Sequence, residues 1–491
     1  MRKVYLAADC GAGSGRVIAG IFENGTITLE EICRFDNQPV DLNDSLHWGI
    51  TRIFGEIKSG IGMAVAKYGK DVVSIGVDTW GVDYGLLDEH DRLLGIPYCY
   101  RDARTDGMID HADSILSQPG RYEHAGLQLL HFNTLYQLLA EKRLSSSQLD
   151  RAESLLFIPD IINFWLSGVL ANEATIASTS ELLDAKSGQW SEELIDAYGL
   201  PKQIFKKPVE PGEILGPVKS SICVELGIDF EINVVATPSH DTAAAVAACP
   251  LESANSVYIS SGTWSLMGIE AEEAFTTETA NAMKLTNERG VEGTTRLLKN
   301  ISGFWIFQQA KRDWDLCGLG LGYDELRELA VKAEPFQAFL NPNDPCFEKP
   351  GGMVSRIMDY FERTGQSVPE DPGVICRSVF EGLALSYRKV LKGIERVTGE
   401  KYDTLNIIGG GSQNPFLNQL AADATGCKVI AGPIEGSGLG NILAQLKADG
   451  EIGSIRSGRS IIEQSFELKA YEPGDSEVWD KASERFDALL F

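Results

Sequence analysis

The opening of this chain leaves few choices of fold. Val4-Tyr5-Leu6-Ala7-Ala8 is apolar, Asp9-Cys10-Gly11-Ala12-Gly13-Ser14-Gly15-Arg16 reads as a turn, and residues 17–22 are apolar again. A second tight turn, Glu23-Asn24-Gly25, leads into residues 26–35. Asn-Gly is the pair that a two-residue hairpin turn asks for, because both positions need positive φ. The pattern predicts three antiparallel strands followed by a helix over residues 53–68. A degenerate copy returns halfway along. Residues 256–260 read as a strand, Ser261-Gly262-Thr263-Trp264-Ser265 as its turn and 266–270 as the next strand. A strand, a donor-rich bend and a strand, met twice in one chain, point to duplicated domains.

The intervening sequence alternates between the two kinds of element. Residues 73–77, 232–236 and 405–408 read as buried strands, and 135–144, 158–166 and 374–397 as helices on apolar period. That alternation makes the class α/β. The boundary falls near residues 243–250 without a Pro/Gly-rich linker, which gives domains over 1–244 and 245–491. Charge narrows the partners. A formal net charge of −26 repels nucleic acid and anionic membrane, so neither is expected as a partner. No apolar run reaches the roughly 18–20 residues of a membrane helix, and Asp9 ends the short apolar N-terminal stretch too early for a signal peptide. Nine scattered cysteines without a Cys-x-x-Cys pair, and six histidines without ligand spacing, suggest a reduced compartment and no transition-metal site. The expected location is the cytoplasm.

Several short runs could carry chemistry. In the first bend, glycines 11, 13 and 15 let the backbone bring N–H groups to an anion, Ser14 adds a donor and Arg16 could reach a phosphate. The bland alternative is a glycine-rich hairpin with an exposed charge at its tip. It is not a Walker loop, since Gly-Lys-Ser/Thr is missing. The second bend, with Thr263, has the same character, and two such bends folded face to face could clasp a phosphate chain. Asp241, in Pro238-Ser239-His240-Asp241-Thr242, precedes an alanine run. It reads as an ordinary helix N-cap, or as a general base that takes a proton from a sugar hydroxyl, and the two roles are compatible. In Asp78-Thr79-Trp80-Gly81-Val82-Asp83 an aromatic face beside a carboxylate would suit a sugar, although Trp80 alone is more often core. Gly409-Gly410-Gly411-Ser412 has more glycine than a strand-to-helix turn requires and would let a flat ring lie on the backbone.

In this order the motifs resemble the carbohydrate kinase family that includes glycerol, xylulose and gluconate kinases. The matching runs extend from about residue 5 to about 445, and include Asp78 to Asp83, Tyr100-Arg101-Asp102-Ala103-Arg104-Thr105, Ser239-His240-Asp241-Thr242-Ala243, the run SSGTWSLMG over 260–268 and Leu298-Lys299-Asn300-Ile301. The resemblance implies two duplicated ribonuclease-H-like (actin-like ATPase) domains with a cleft between them. It implies transfer of the γ-phosphate of MgATP to a sugar hydroxyl, for this branch the 1-hydroxyl of L-rhamnulose. The alternatives are another ketose such as L-fuculose or D-xylulose, or an actin- or Hsp70-like nucleotide-dependent interaction protein. Carried over by motif, Asp241 is the proton acceptor. Ala12, Gly13, Ser14, Gly15, Arg16, Thr263, Gln308 and Gly410 lie toward ATP. Gly81, Asp83, His240, Asp241, Thr242 and Asn300 lie toward the sugar, and Asp9 supports Mg2+ through water. The partners are small molecules, and the assembly a monomer or homodimer. The chain departs from the family in two places. Cys10 and Gly13 stand where Leu and Ser are usual, so the first bend should be looser. Glu435-Gly436-Ser437-Gly438-Leu439-Gly440-Asn441 replaces a different pattern and should alter adenine-side packing.

Overall fold

The structure, a computed structural model, describes residues 2–144, 147–251, 253, 255–475 and 477–489. The chain forms two compact units. One comprises Met1–Pro250, Glu270–Leu297 and Glu435–Phe466, the other Leu251–Ile269, Leu298–Ile434 and Glu467–Phe491.

The first unit is built on a six-stranded sheet. Its strands are β1 (Lys3–Cys10), β2 (Ser14–Glu23), β3 (Thr26–Asp36), β4 (Val72–Thr79), β5 (Glu213–Pro217) and β6 (Asn233–Ala236), in the order β5-β6-β4-β1-β2-β3. β2 runs antiparallel to β1 and β3, β4 lies parallel to β1 and β6, and β5 closes the edge antiparallel to β6. The predicted Asn-Gly hairpin is present, with positive φ at Asn24 and Gly25. Strand period explains why the middle of the sheet is apolar throughout. Val4, Leu6, Ala8 and Cys10 face one core with Ile53, Ile57 and Ile61 of the helix Ile50–Tyr68. Tyr5 and Ala7 face another with Leu439, Ile442 and Leu443 of the helix Gly436–Ala448.

The first bend is tighter than its sequence suggests. β1 runs on through Asp9 and Cys10, and β2 begins at Ser14, so Asp9 and Arg16 are cross-strand partners and Arg16 is not at a tip. Antiparallel pairing continues until the chain must reverse, and Gly11-Ala12-Gly13 suffice for that. The bend is also fastened, not loose. Gly11 N–H donates to Ser14 O at 2.9 Å, Asn37 Nδ2 to Gly11 O at 2.8 Å, and Asn37 N–H to Gly13 O at 3.2 Å.

A seven-stranded sheet consists of β7 (Ser256–Ser261), β8 (Trp264–Ala271), β9 (Thr286–Arg289), β10 (Thr295–Ser302), β11 (Thr404–Ile408), β12 (Lys428–Ala431) and β13 (Lys469–Tyr471), in the order β9-β10-β8-β7-β11-β12-β13. β7 pairs antiparallel with β8 and parallel with β11, β12 is parallel to β11, and β13 is antiparallel to β12. These directions repeat those of the first sheet from β1 outward to β5. The duplication hinted at by two short bends is therefore a repeat of strand directions, although β5 precedes β6 in the chain whereas β13 follows β12. In the second unit the long helix Pro372–Thr398 starts on an Asp371 cap with proline in its first turn and stops at Gly399, φ +77°. Its Tyr387 hydroxyl meets Ser265 Oγ at 2.9 Å and fixes the second hairpin. Among the described residues no helix is long and apolar enough to cross a membrane, and all nine cysteines are unpaired.

Candidate active site

In the first unit, parallel pairing puts Asp9 of β1 beside Asp78 of β4 at the strand ends. The Asp9 carboxylate accepts from Arg16 Nη2 at 2.9 Å and from Ser437 Oγ at 2.8 Å, and Arg16 also pairs with Glu435. Burial works against the charge on Arg16, but Asp9 and Glu435 outweigh it and raise its pKa. Asp78 is wholly buried; its Oδ2 accepts from Asn441 Nδ2 at 2.7 Å while Oδ1 has no partner among the described residues. Burial, then the neighbouring Asp9, push its carboxyl well above the usual range. Ser437, Glu435 and Asn441 of this run thus meet Asp9, Arg16 and Asp78 within the first unit. Nothing in local sequence could reveal it, because the partners lie more than 350 residues apart (Asn441 to Asp78 is |i−j| = 363).

Asp83 is almost completely buried. Its Oδ2 accepts from Trp48 Nε1 at 2.6 Å, Trp80 Nε1 at 2.9 Å and Tyr100 N–H at 3.1 Å, and its Oδ1 from Gln137 Nε2 at 2.8 Å. Trp80 is 5% exposed and packs on Trp48 with centroids 4.1 Å apart, so its face belongs to the core. Between these two residues the chain is strained: Val82, β-branched, has φ +69°. Thr179 Oγ1 accepts from Val82 N–H at 2.9 Å and Thr134 Oγ1 donates to Val82 O at 2.7 Å, which holds it there. The strained turn carries Gly81 close to His240. A Cβ at Gly81 would sit 3.4 Å from His240 Nε2 and 3.2 Å from Thr179 Cγ2.

His240 and Asp241 follow a segment tied to its neighbours through the backbone. Thr79 N–H donates to Ser239 O at 2.8 Å, and Ser239 N–H to the buried carboxylate of Glu173 at 3.0 Å. Asp241 is the first residue of the short helix Asp241–Ala247; His240 holds the cap position and no side chain caps the helix, so the N-cap reading of Asp241 does not hold. Its side chain is 36% exposed. Oδ1 accepts from Thr242 Oγ1 at 3.2 Å and lies 3.5 Å from His240 Nε2. Burial raises its carboxyl above the ordinary value; His240 pulls the other way and Asp9 adds to the rise. On its far side His240 Nδ1 stands 3.2 Å from both Glu288 Oε2 and Arg296 Nη2.

Of the residues singled out from sequence, the first unit gathers Asp9, the 12–16 bend, Gly81, Asp83, His240, Asp241 and Thr242. Ala12, Gly13, Ser14 and Arg16 reach solvent, whereas Gly15 is buried under the Phe35 ring. Thr263, Asn300, Gln308 and Gly410 belong to the second unit. There the second bend meets the glycine run. Thr263 is exposed, and its carbonyl accepts from Gly303 N–H at 3.0 Å and Trp305 N–H at 3.2 Å. Gly409 has φ +85°, and a Cβ on Gly411 would fall 2.0 Å from Ser261 Oγ. Two of the three glycines are therefore committed to the turn, and Gly410 is left exposed with open space above it. Gln308 is half-buried on the helix Trp305–Leu316, and Asn300 half-buried on β10. Sequence reasoning missed Glu288 and Arg296, which sit in no short motif, and it marked the run 435–441 without foreseeing the contacts of Glu435, Ser437 and Asn441 with the first bend and Asp78.

Residues 4–248 match the N-terminal domain of the FGGY family of carbohydrate kinases, and 257–448 its C-terminal domain. The chain is 41% identical to a rhamnulokinase of Bacteroides thetaiotaomicron over 98% of both chains. It is also 41% identical to a rhamnulokinase of Oceanobacillus iheyensis, over 96% of this chain and 98% of that one. Among solved structures, a ligand-bound xylulose kinase from Lactobacillus acidophilus superposes with a TM-score of 0.84 at 17% identity, covering 99% of this chain and 97% of that one. A Plasmodium falciparum glycerol kinase with ADP superposes with a TM-score of 0.80 at 14% identity, covering 99% and 98%. At such identities these structures speak to the fold alone.

Proposed function

This chain belongs to the FGGY family of carbohydrate kinases, and from that premise we propose that it transfers the γ-phosphate of ATP to the 1-hydroxyl of L-rhamnulose, a step of L-rhamnose breakdown. The observation that carries the mechanism is Asp241, a carboxylate raised in pKa by burial yet open on one side, beside His240 and Gly81. Asp241 takes the proton of the acceptor hydroxyl as that oxygen bonds to the γ-phosphorus. The bond to the β–γ bridging oxygen breaks and ADP leaves with its electron pair. His240, Thr242 and Gly81 border the acceptor. Asp83 acts one layer below by holding Trp48, Trp80 and Tyr100. Ala12, Gly13, Ser14 and Arg16 take phosphate oxygens, and in the second unit Thr263, Gln308 and Gly410 serve the nucleotide and Asn300 the sugar.

The hard oxygen donors Asp9 and Asp78, whose charges oppose one another, fit a divalent cation such as Mg2+. Among the described residues no group of three or more His, Cys, Asp or Glu side chains could hold a metal ion. Bound there, Mg2+ would offset the charge of the phosphates, and Asp9 would support it through water. An enzyme that spends ATP and keeps nine unpaired cysteines fits the cytoplasm.

A coupled ADP-release assay over L-rhamnulose, L-fuculose, D-xylulose and no sugar tests the reading. L-Rhamnulose should lead in kcat/KM. Asp241→Asn should lose about 10²- to 10⁴-fold in kcat while ATP still binds. A different winning ketose, ADP release that ignores sugar, or a near-normal Asp241→Asn would each overturn it.

A further inference from the structure

Behind His240 lies a charge pair that the reaction does not use directly. Arg296 is fully buried; Nη2 donates to Glu288 Oε2 at 2.8 Å and stands 3.2 Å from His240 Nδ1, and Nε donates to Arg289 O at 3.1 Å. Among the described residues its Nη1 has no partner. A buried guanidinium with an unmet N–H is costly for a fold to keep, and an apolar pair of similar size is often no less stable. Glu288 is nearly as buried, and burial would raise its carboxyl; Arg296 and His240 outweigh that and hold it at about 2. Arg296 and Glu288 form an ion pair at 2.8 Å, and it grips one nitrogen of the imidazole while the other nitrogen faces Asp241 Oδ1 at 3.5 Å.

We propose that Glu288 and Arg296 are positioning residues that lock the His240 ring with its proton on Nε2, aimed at Asp241 and the acceptor sugar. Two arrangements are open to Nδ1: it accepts the second proton of Arg296 Nη2, or donates to Glu288 as part of an imidazolium. Both leave Nε2–H as the donor, which is what a neighbouring carboxylate requires. The ring then steadies the orientation of Asp241 and offers one hydrogen bond to the substrate. This inference rests on Asp241 as the base for its effect on rate, but not for the state of the ring.

The test uses the full chain with 15N-labelled histidine, of which it has six, so that His240→Asn assigns the signal. Imidazole 1H–15N correlation without substrate should show His240 protonated on Nε2. The variant Glu288→Leu/Arg296→Met removes both charges together, and should release the ring into mixed tautomers. Its kcat should fall about tenfold, with KM for ATP unchanged, and adding His240→Asn should lower kcat no further. Glu288→Gln, which keeps both an acceptor and a donor at the ring, should recover most of the rate. If the double variant does not fold, the protonation site of the His240 ring in the unaltered chain, read from the same correlation, still decides the proposal. A ring protonated on Nδ1 alone, a full-rate double variant, or losses that add to that of His240→Asn would overturn the proposal. Near-normal turnover of Asp241→Asn would instead strike the base assignment and leave the ring measurement standing.

Discussion

Burial strips water from both oxygens of Asp83, while Trp48, Trp80, Tyr100 and Gln137 supply donors in its place. Burial is the larger effect, and the carboxyl rises from 3.8 to about 6. The consequence for stability has a definite sign. Between those values the native protein holds a proton that the unfolded chain has released, so the contribution of Asp83 is full below about 3.8 and is lost as pH rises through about 6. Asp83→Asn lacks that titration. The stability of the native chain relative to the variant should therefore fall by about 1 kcal/mol between about pH 5 and about pH 7.5. Urea unfolding at both pH values measures it, and a difference that does not change with pH refutes it. At this scale short motifs singled out Asp9, Gly81 and Asp241, and the fold sets Gly81 and Asp241 beside His240. The sequence was silent on what Asp83 does, because its donors come from positions 48, 80, 100 and 137 and meet only in the fold.

Among the elements, the helix Gly436–Ala448 joins packing to chemistry. Gly440 lies so close to the helix Asp241–Ala247 that an added Cβ would sit 1.7 Å from Ala244 O, and one on Gly436 would sit 3.3 Å from Ala245 Cβ. From that close approach Ser437 reaches Asp9 and Asn441 reaches Asp78. Glycine in a helix costs about 1 kcal/mol relative to alanine, so its retention needs a reason, and Ala244 supplies it. Gly440→Ala should destabilise by about 1–3 kcal/mol because backbone cannot yield to backbone. Gly438→Ala is the control. Its Cβ would press only on Ile18 Cδ1, at 2.9 Å, the far end of a side chain that can turn, and the gain in helix propensity should bring the change near zero. Thermal melts of both variants decide the matter; equal losses would mean that the packing argument is wrong. Strands and helices were readable from local periodicity, and the first hairpin from Asn24-Gly25. The partner of a glycine-rich helix was not, since such a surface records only that something comes close.

Over the whole molecule, the chain does not complete its first unit before starting the second. After Pro250 it leaves, and the segments Glu270–Leu297 and Glu435–Phe466 return to finish it. The late segment brings Leu439, Ile442, Leu443 and Leu446 to the core that also holds Tyr5, Ala7 and Ile18, and the earlier one brings Glu288 and Arg296 to His240. Duplicated bends in the sequence revealed two related sheets, but the apolar pattern of a strand buried on both faces cannot say which distant helix covers it. Each such side chain contributes about 1.5–3 kcal/mol when buried, against a net stability of about 5–15 kcal/mol for a typical domain. Losing the four aliphatic residues of one helix is therefore enough to consume most of that margin. A fragment of residues 1–250 should show no cooperative transition by circular dichroism and should bind a hydrophobic dye, whereas the full chain melts sharply. A fragment that unfolds cooperatively, with the midpoint of the intact protein, would mean that the returning segments decorate the first unit without being part of its core.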